Sequence, residues 1–310
     1  PMARSIAKIL GVKLIESGLG FFDNTEIGAR IMANVRRKDV YLIGSIVRDL
    51  EGHSSNDALI QIMVALDALV RASARSVSLV IPYYGYGKQE RKKRGRQPIS
   101  AKMVMNMLAA YEHHIAHIIT MDLHAPAIQG FTNLPFDNLY ARPILVEELR
   151  RRGYEGSSIV VVSPDEGGVA RAREVSVRLK ASFALMSKVR DGHNQIESTD
   201  LLGDVRNKVA VIVDDMVQSG GTAFKAAARL IDEGATKVVL AATHADFCGD
   251  VAGKLMNSQV SELIVTDTTP LVAAPAVQNC PRISVVSIHK LLAEAIYRNS
   301  VGKSVSELFD

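Results

Sequence analysis

Short apolar runs rich in β-branched residues alternate along this chain with longer segments whose apolar positions recur every three or four residues. "DVYLIGSI" is followed by "DALIQIMVALDALVRASA", "SVSLVIP", "ISAKMVMNMLAAYEHH" and "IAHIITMDL". Beyond Arg142 the order resumes with "SIVVVSP", "VARAREVSVRLK", "FALMSK", "KVAVIVDD", "TAFKAAARLIDEG", "KVVLAATH" and "SELIVTD". An unbroken apolar run of about 4–8 residues marks a strand buried on both faces, and a 3.6-residue period marks a helix covering one. Strands separated by helices imply βαβ units and mainly parallel sheets flanked by helices. The expected fold class is α/β.

The alternation also contains a repeat. "DALVRASARSVSLVIP" (67–82) aligns without gaps on "ARLIDEGATKVVLAAT" (228–243), 161 positions further on. Each is a helix end, a small-residue turn and a strand. A generic βα unit explains much of this likeness, but together with the doubled alternation it favours two similarly folded domains joined near "DNLYARP". The tail "KLLAEAIYRNSVGKSVSELF" reads as a helix and a short cap, which the pattern alone assigns to neither domain.

Composition narrows the class. The 310 residues suffice for two ordinary domains, and 47% hydrophobic with 23% charged residues is a globular profile. No apolar run approaches the roughly 18 residues of a membrane span, so no membrane partner is expected. Two cysteines, Cys248 and Cys280, provide no disulfide framework, and the expected location is a reducing cytoplasm. The net charge of +4 is unevenly spread: 83–97, "YYGYGKQERKKRGRQ", holds six basic residues against one acid, Glu90. Such a run is a solvated face or an anion-attracting loop, and its tyrosines also permit a nucleic-acid reading.

The most informative stretch is "VIVDDMVQSGGT", 211–222. Ligands of open parallel sheets sit beyond the carboxyl ends of the strands. Here Asp214 and Asp215 end a strand, and "QSGGT" turns into a helix. Gly220 and Gly221 allow close backbone approach, Ser219 and Thr222 add hydroxyls, and the helix dipole favours an anion such as phosphate. The two carboxylates only accept hydrogen bonds, which suits vicinal hydroxyls with or without a cation. Phosphate plus diol indicates a sugar phosphate; the plain alternative is an Asp N-cap beside a loop acid. A second strand ends in "DEGG", where Asp165 is a plausible Mg²⁺ ligand, and a third ends at Asp122 and His124. The histidines His113, His114 and His117 read as surface residues without a carboxylate partner. Neither G-x-x-x-x-G-K-[ST] nor G-x-G-x-x-G occurs, so a nucleotide would have to be held by other elements.

"VDDMVQSGGT" resembles the phosphoribosyl-pyrophosphate loop of type I phosphoribosyltransferases. Nearly the whole chain resembles one family, the ribose-phosphate pyrophosphokinases, through "RKKRGRQPISAK", "ITMDLHAPAIQGF", "PFDNLYARP", "VVSPDEGGVARAR" and "LLAEAIYR". The resemblance implies two type I phosphoribosyltransferase-like domains: residues 1–139 with the tail 288–310 on the ATP side, and 140–287 on the ribose 5-phosphate side. It implies transfer of the pyrophosphoryl group of Mg·ATP to the C1 hydroxyl of ribose 5-phosphate, and a homo-oligomer, hexameric or smaller, built from dimers. Phe22, Asn24 and Glu26 match the adenine segment. Lys88, Gln89 and Glu90 match the ATP loop, where Arg and Asp are usual at 88 and 90. His124 and Asp165 match the Mg²⁺ ligands, with His124 also at the ATP site. Asp214, Asp215, Ser219, Gly220, Gly221 and Thr222 match the ribose 5-phosphate loop, and Lys188 and Arg190 the catalytic pair on a flap. Phosphoryl-type transfer calls for such cations and in-line positioning. An enzyme site explains the basic run as well, so no nucleic-acid partner is expected.

Several positions depart from the pattern. Gln218 and Ser219 stand where most members have Asp and Thr, a form similar to a second class described as independent of phosphate activation. Glu166 replaces a usual Ala, and Gly44 and Gly95 replace Gln and Ser near the allosteric anion site. The alternative, a non-catalytic synthetase-associated regulatory subunit, should show damage at the flap or metal positions, and all of them are intact.

Overall fold

The computed structural model describes residues 1–190 and 196–309, leaving aside the side chains of 188–190 and 196–199. Contacts divide the chain into two units, Pro1–Tyr140 with Ile288–Asp310, and Ala141–Ser287.

Unit 1 opens with α1 (Met2–Leu10) and a short antiparallel hairpin of β1 (Gly20–Phe21) and β2 (Ile27–Gly28). Next come β3 (Asp39–Ile43), α2 (Ser55–Arg71), β4 (Ser76–Ile81), α3 (Ser100–Ala109), β5 (Ile115–Met121) and β6 (Phe136–Leu139). The last four strands form a parallel sheet in the order β3-β4-β5-β6. α2 starts on a capping box in which Ser54 and Asp57 satisfy each other's backbone N–H groups. Its buried Leu59, Ile62, Leu66 and Leu69 recur at the three- and four-residue steps that form one apolar stripe. β4 is buried from Val77 to Ile81, as a strand covered on both faces must be.

Unit 2 contains α4 (Arg142–Arg151), β7 (Ile159–Ser163), α5 (Val169–Arg178), β8 (Ser182–Arg190), β9 (Ile196–Leu202), β10 (Val209–Val217) and α6 (Gly221–Asp232). It continues with β11 (Lys237–Ala245), α7 (Val251–Met256), β12 (Val260–Thr266), α8 (Pro275–Gln278) and β13 (Ile283–Val286). Its seven strands run β13-β12-β11-β10-β7-β8-β9, parallel except for β9, which is antiparallel to β8. The final helix, α9 (His289–Ser300), belongs to unit 1. It packs on α1, the Tyr41 hydroxyl donates to Asn299 at 2.8 Å, and Phe309 meets Tyr140 edge-on at 5.4 Å.

The repeat survives in fine detail. β4 and β11 start 161 positions apart, as do the left-handed residues of the preceding turns, Ser73 (φ 61°) and Gly234 (φ 94°). The carbonyl of Ser73 accepts from Arg37 N–H at 2.9 Å, and that of Gly234 from Asn207 N–H at 3.0 Å. Register slips by one residue after Val77 in unit 1 and after Val238 in unit 2. Such irregularities are features of a backbone design rather than of a generic βα unit.

Two local expectations are corrected. The "ISAKMVMNMLAAYEHH" helix ends at Ala109, and Glu112–His114 form a 3₁₀ turn, with the Tyr111 hydroxyl pinned to Asp67 at 2.8 Å. His113 and His114 are exposed, but His117 does have a carboxylate partner: its Nε2 lies 2.6 Å from Asp137 on β6, a neighbour brought by sheet pairing. Among the described residues no helix is long and apolar enough to cross a membrane.

Candidate active site

In unit 2, β7 and β10 pair directly, with Val162 opposite Ile212, so their carboxyl ends open on the same edge. The chain leaves β7 through Asp165, whose Oδ1 accepts the Gly168 N–H at 3.3 Å while Ser163 Oγ donates to its carbonyl at 2.7 Å. At the matching level of β10 stand Asp214, half-buried, and Asp215, only 5% exposed. Asp215 N–H donates to Asp214 Oδ1 at 2.8 Å, which sets the two carboxylates against one another. Arg171 in the first turn of α5 reaches both, its Nη1 lying 3.7 Å from Asp214 and 3.8 Å from Asp215. Burial, reinforced by the Asp215 charge, nevertheless holds the Asp214 carboxyl well above the usual carboxylate range against the pull of Arg171. Burial is the main cause of that rise, so a ligand group that solvates the carboxylates, a cation or hydroxyl donors, would favour the charged form.

Three residues beyond β10 lead into α6. Gly220 is left-handed (φ 75°), and a Cβ there would fall 2.2 Å from the Phe224 ring. It caps α6 without any side-chain hydrogen bond. Ser219, Gly221 and Thr222 are exposed around this helix start. An uncapped helix N-terminus flanked by hydroxyls is an anion site.

Arg171 is absent from the residues expected at the site. A cation in the first turn of a helix opposes the dipole, so "GGVAR" could have flagged it as a residue with a partner elsewhere. Glu166 is occupied by Ser187 on β8, whose hydroxyl donates to it at 3.0 Å. β8 carries Lys188 and Arg190, and the side chains of both lie outside the described residues.

Unit 1 carries the other expected residues at two places, the β1–β2 turn and the loop after β4 with His124. Phe22 is 61% exposed and lies over Gly28, where a Cβ would come within 2.7 Å of the ring. Asn24 Oδ1 accepts the Glu26 N–H at 3.1 Å, which tightens the β1–β2 turn. In the loop after β4, Gly87 faces His124, with 3.7 Å from its Cβ position to the histidine Cβ, and Lys88, Gln89 and Glu90 follow Gly87 in the chain. Gln89 accepts from Ser100 Oγ at 2.5 Å and from Ala101 N–H at 3.3 Å, fastening the loop to the start of α3. Glu90 pairs with Arg91 at 3.1 Å through one oxygen, while the other is buried without a partner. His124 belongs to unit 1 and Asp165 to unit 2.

Comparison with known proteins places this geometry. Residues 1–111 match the N-terminal domain of ribose phosphate pyrophosphokinase, and residues 194–310 the phosphoribosyl synthetase-associated domain. The chain is 43% identical to a ribose-phosphate pyrophosphokinase of Xanthomonas campestris, covering 100% of this chain and 94% of the relative. Identity to that of Chromobacterium violaceum is 41%, over 100% and 91%. A crystal structure of phosphoribosylpyrophosphate synthetase from Mycobacterium smegmatis superposes with a TM-score of 0.88 at 32% identity, over 97% of this chain and 95% of that one. The two duplicated α/β units, the carboxylate pair over an open helix start and this end-to-end similarity lead to one conclusion: the chain belongs to the ribose-phosphate pyrophosphokinase family.

Proposed function

We propose that the chain transfers the pyrophosphoryl group of ATP to ribose 5-phosphate, and that the residues above divide the work as follows. The open start of α6, with the hydroxyls of Ser219 and Thr222 and the backbone of Gly220 and Gly221, receives the 5-phosphate. Asp214 and Asp215 accept from the ribose 2- and 3-hydroxyls, which orients the C1 hydroxyl. The exposed face of Phe22 stacks on adenine, with Asn24 and Glu26 at its edge, and Lys88, Gln89, Glu90 and His124 line the triphosphate side. The C1 oxygen then forms a bond to the β-phosphorus as the α–β bridge breaks, so AMP leaves and the hydroxyl proton is released. Lys188 and Arg190 neutralise charge on the group in transit, where one well-placed cation contributes about 10³–10⁵ in rate. The Asp165 carboxylate is the kind of donor Mg²⁺ takes, and Asp165 with His124 would hold the ion, which would supply charge neutralisation of the triphosphate.

The observation carrying this reading is the adjacent Asp214–Asp215 pair, reached by Arg171, beside a helix start without a side-chain cap. The test is ³¹P NMR of the protein with Mg·ATP and ribose 5-phosphate: the pyrophosphoryl sugar and AMP should accumulate together. ADP as product would mean an ordinary kinase, and absence of turnover would favour a regulatory subunit. The Gln218–Ser219 form further predicts a rate insensitive to inorganic phosphate; a several-fold rise with added phosphate would refute that part. A dimer-based homo-oligomer is the assembly to expect.

A further inference from the structure

We infer that Asp246 is a positioning residue for the phosphate turn, acting through Gln218. The Gln218 side-chain amide donates to the Asp246 carboxylate, and Cys248 N–H donates to the Gln218 carbonyl at 3.3 Å. The segment after β11 thus holds the residue that opens the turn by both its side chain and its backbone. Asp246 is itself fixed. It sits between the buried Ala245 and Phe247, and the Ala245 carbonyl accepts from Thr269 Oγ1 at 2.7 Å. Two residues earlier, the Thr243 carbonyl accepts from Thr266 Oγ1 at 2.7 Å, and between them His244 Nδ1 lies 3.0 Å from Thr268 Oγ1. Thr243, His244, Thr266, Thr268 and Thr269 are all buried. Polar groups at that depth persist only when paired, and a fully paired set is rigid. A brace consequently runs from the end of β12 through the end of β11 to the turn after β10.

The chemistry of the pair restricts what either position can hold. A carboxylate near a phosphate site is unfavourable unless a donor covers it, and the Gln218 amide is that donor. A second carboxylate at 218 would meet Asp246 at hydrogen-bonding distance, so the two residues must be matched to each other. The brace keeps the turn preorganised, and its loss should weaken ground-state binding of the sugar phosphate without touching the nucleotide.

This inference rests on the turn being the 5-phosphate site, and the experiment separates the two. Asp246→Ala should raise KM for ribose 5-phosphate about tenfold or more, with KM for ATP unchanged. Gln218→Glu should do at least as much by opposing two carboxylates. Adding Asp246→Asn to Gln218→Glu restores a bond with donor and acceptor exchanged, and should recover most of the affinity. An unchanged KM in Asp246→Ala, or no recovery in the double variant, would overturn the brace. Thermal melting accompanies each variant; if Asp246→Ala fails to fold, the exchange experiment alone decides. Thr222→Ala is the control: a raised KM there with none in Asp246→Ala sinks only the brace, whereas no effect in Thr222→Ala sinks the phosphate-site reading beneath it.

Discussion

The strand–turn–helix units β3–α2 and β10–α6 begin alike and end differently. Asp39 pairs with Ser76 as Val209 pairs with Lys237, so the two strands enter their sheets in the same register. Counting from those starts, Gly44 and Ser45 stand where unit 2 has Asp214 and Asp215. In unit 1 the turn then directs its polar groups inward. Asp49 Oδ1 accepts from Glu51 N–H at 2.9 Å and His53 N–H at 3.0 Å, its Oδ2 meets His53 Nδ1 at 2.6 Å, and Ser54 caps α2. Side chains of the turn satisfy its own donors. In unit 2 the glycines have no side chains to do so, the helix start has no side-chain cap, and Asp214 and Asp215 stand side by side before it. One copy of the motif satisfies its own donors, and the other is the one proposed to receive the sugar phosphate.

Breaking the open copy should give the largest effects. Asp214→Asn should lower ribose 5-phosphate turnover by orders of magnitude while making the ligand-free protein more stable. The sign follows from the raised carboxyl: the folded state binds that proton more tightly than the unfolded state, so stability is lost as pH rises above about 4 toward the raised value. Removing the charge should lift the melting temperature at pH 9 by about 2–4 °C; a lower melting temperature would contradict the strain ascribed to the pair. Gly220→Ala comes next. The left-handed φ and the Phe224 ring both resist a methyl group, so KM for ribose 5-phosphate should rise and thermal stability should fall together.

The closed copy should respond in stability alone. Ser54→Ala removes the α2 cap and should cost about 1 kcal/mol in chemical denaturation, with kinetic constants unchanged. The smallest effect is at His53, whose pKa is raised mainly by its hydrogen bond to Asp49. The stabilising contact is complete below the ordinary histidine range and is lost as pH rises through the raised value. An NMR titration should find the His53 midpoint lower in Asp49→Asn than in the parent; equal midpoints would mean that the contact is absent in solution.

The strands and helices were largely legible because their burial follows period. Residues 159–162 of β7 and 238–242 of β11 are continuous apolar runs, α2 repeats its stripe, and the aligned segments 67–82 and 228–243 favour a duplication. The short hairpin of β1 and β2 was not legible as structure, since two-residue strands carry no periodicity. Nor was the partner of His117, because Asp137 reaches it only through the pairing of β5 with β6. Within the site, Asp214, Asp215 and the glycine turn stood out because adjacent carboxylates and adjacent glycines are costly without a purpose. Arg171 and Asp246 did not, being single polar residues whose meaning lies in what they face.

The sequence by itself determined the α/β class, the doubling of the unit, the family resemblance and the chemistry offered at each strand end. These follow from local period and from residue types that name their own ligands. The tertiary structure alone decided that Asp137 meets His117, that Arg171 reaches both Asp214 and Asp215, and that Gln218 is tied to Asp246. Each depends on groups far apart in the chain meeting in space, and electrostatics and hydrogen bonding are set by that distance rather than by order along the chain.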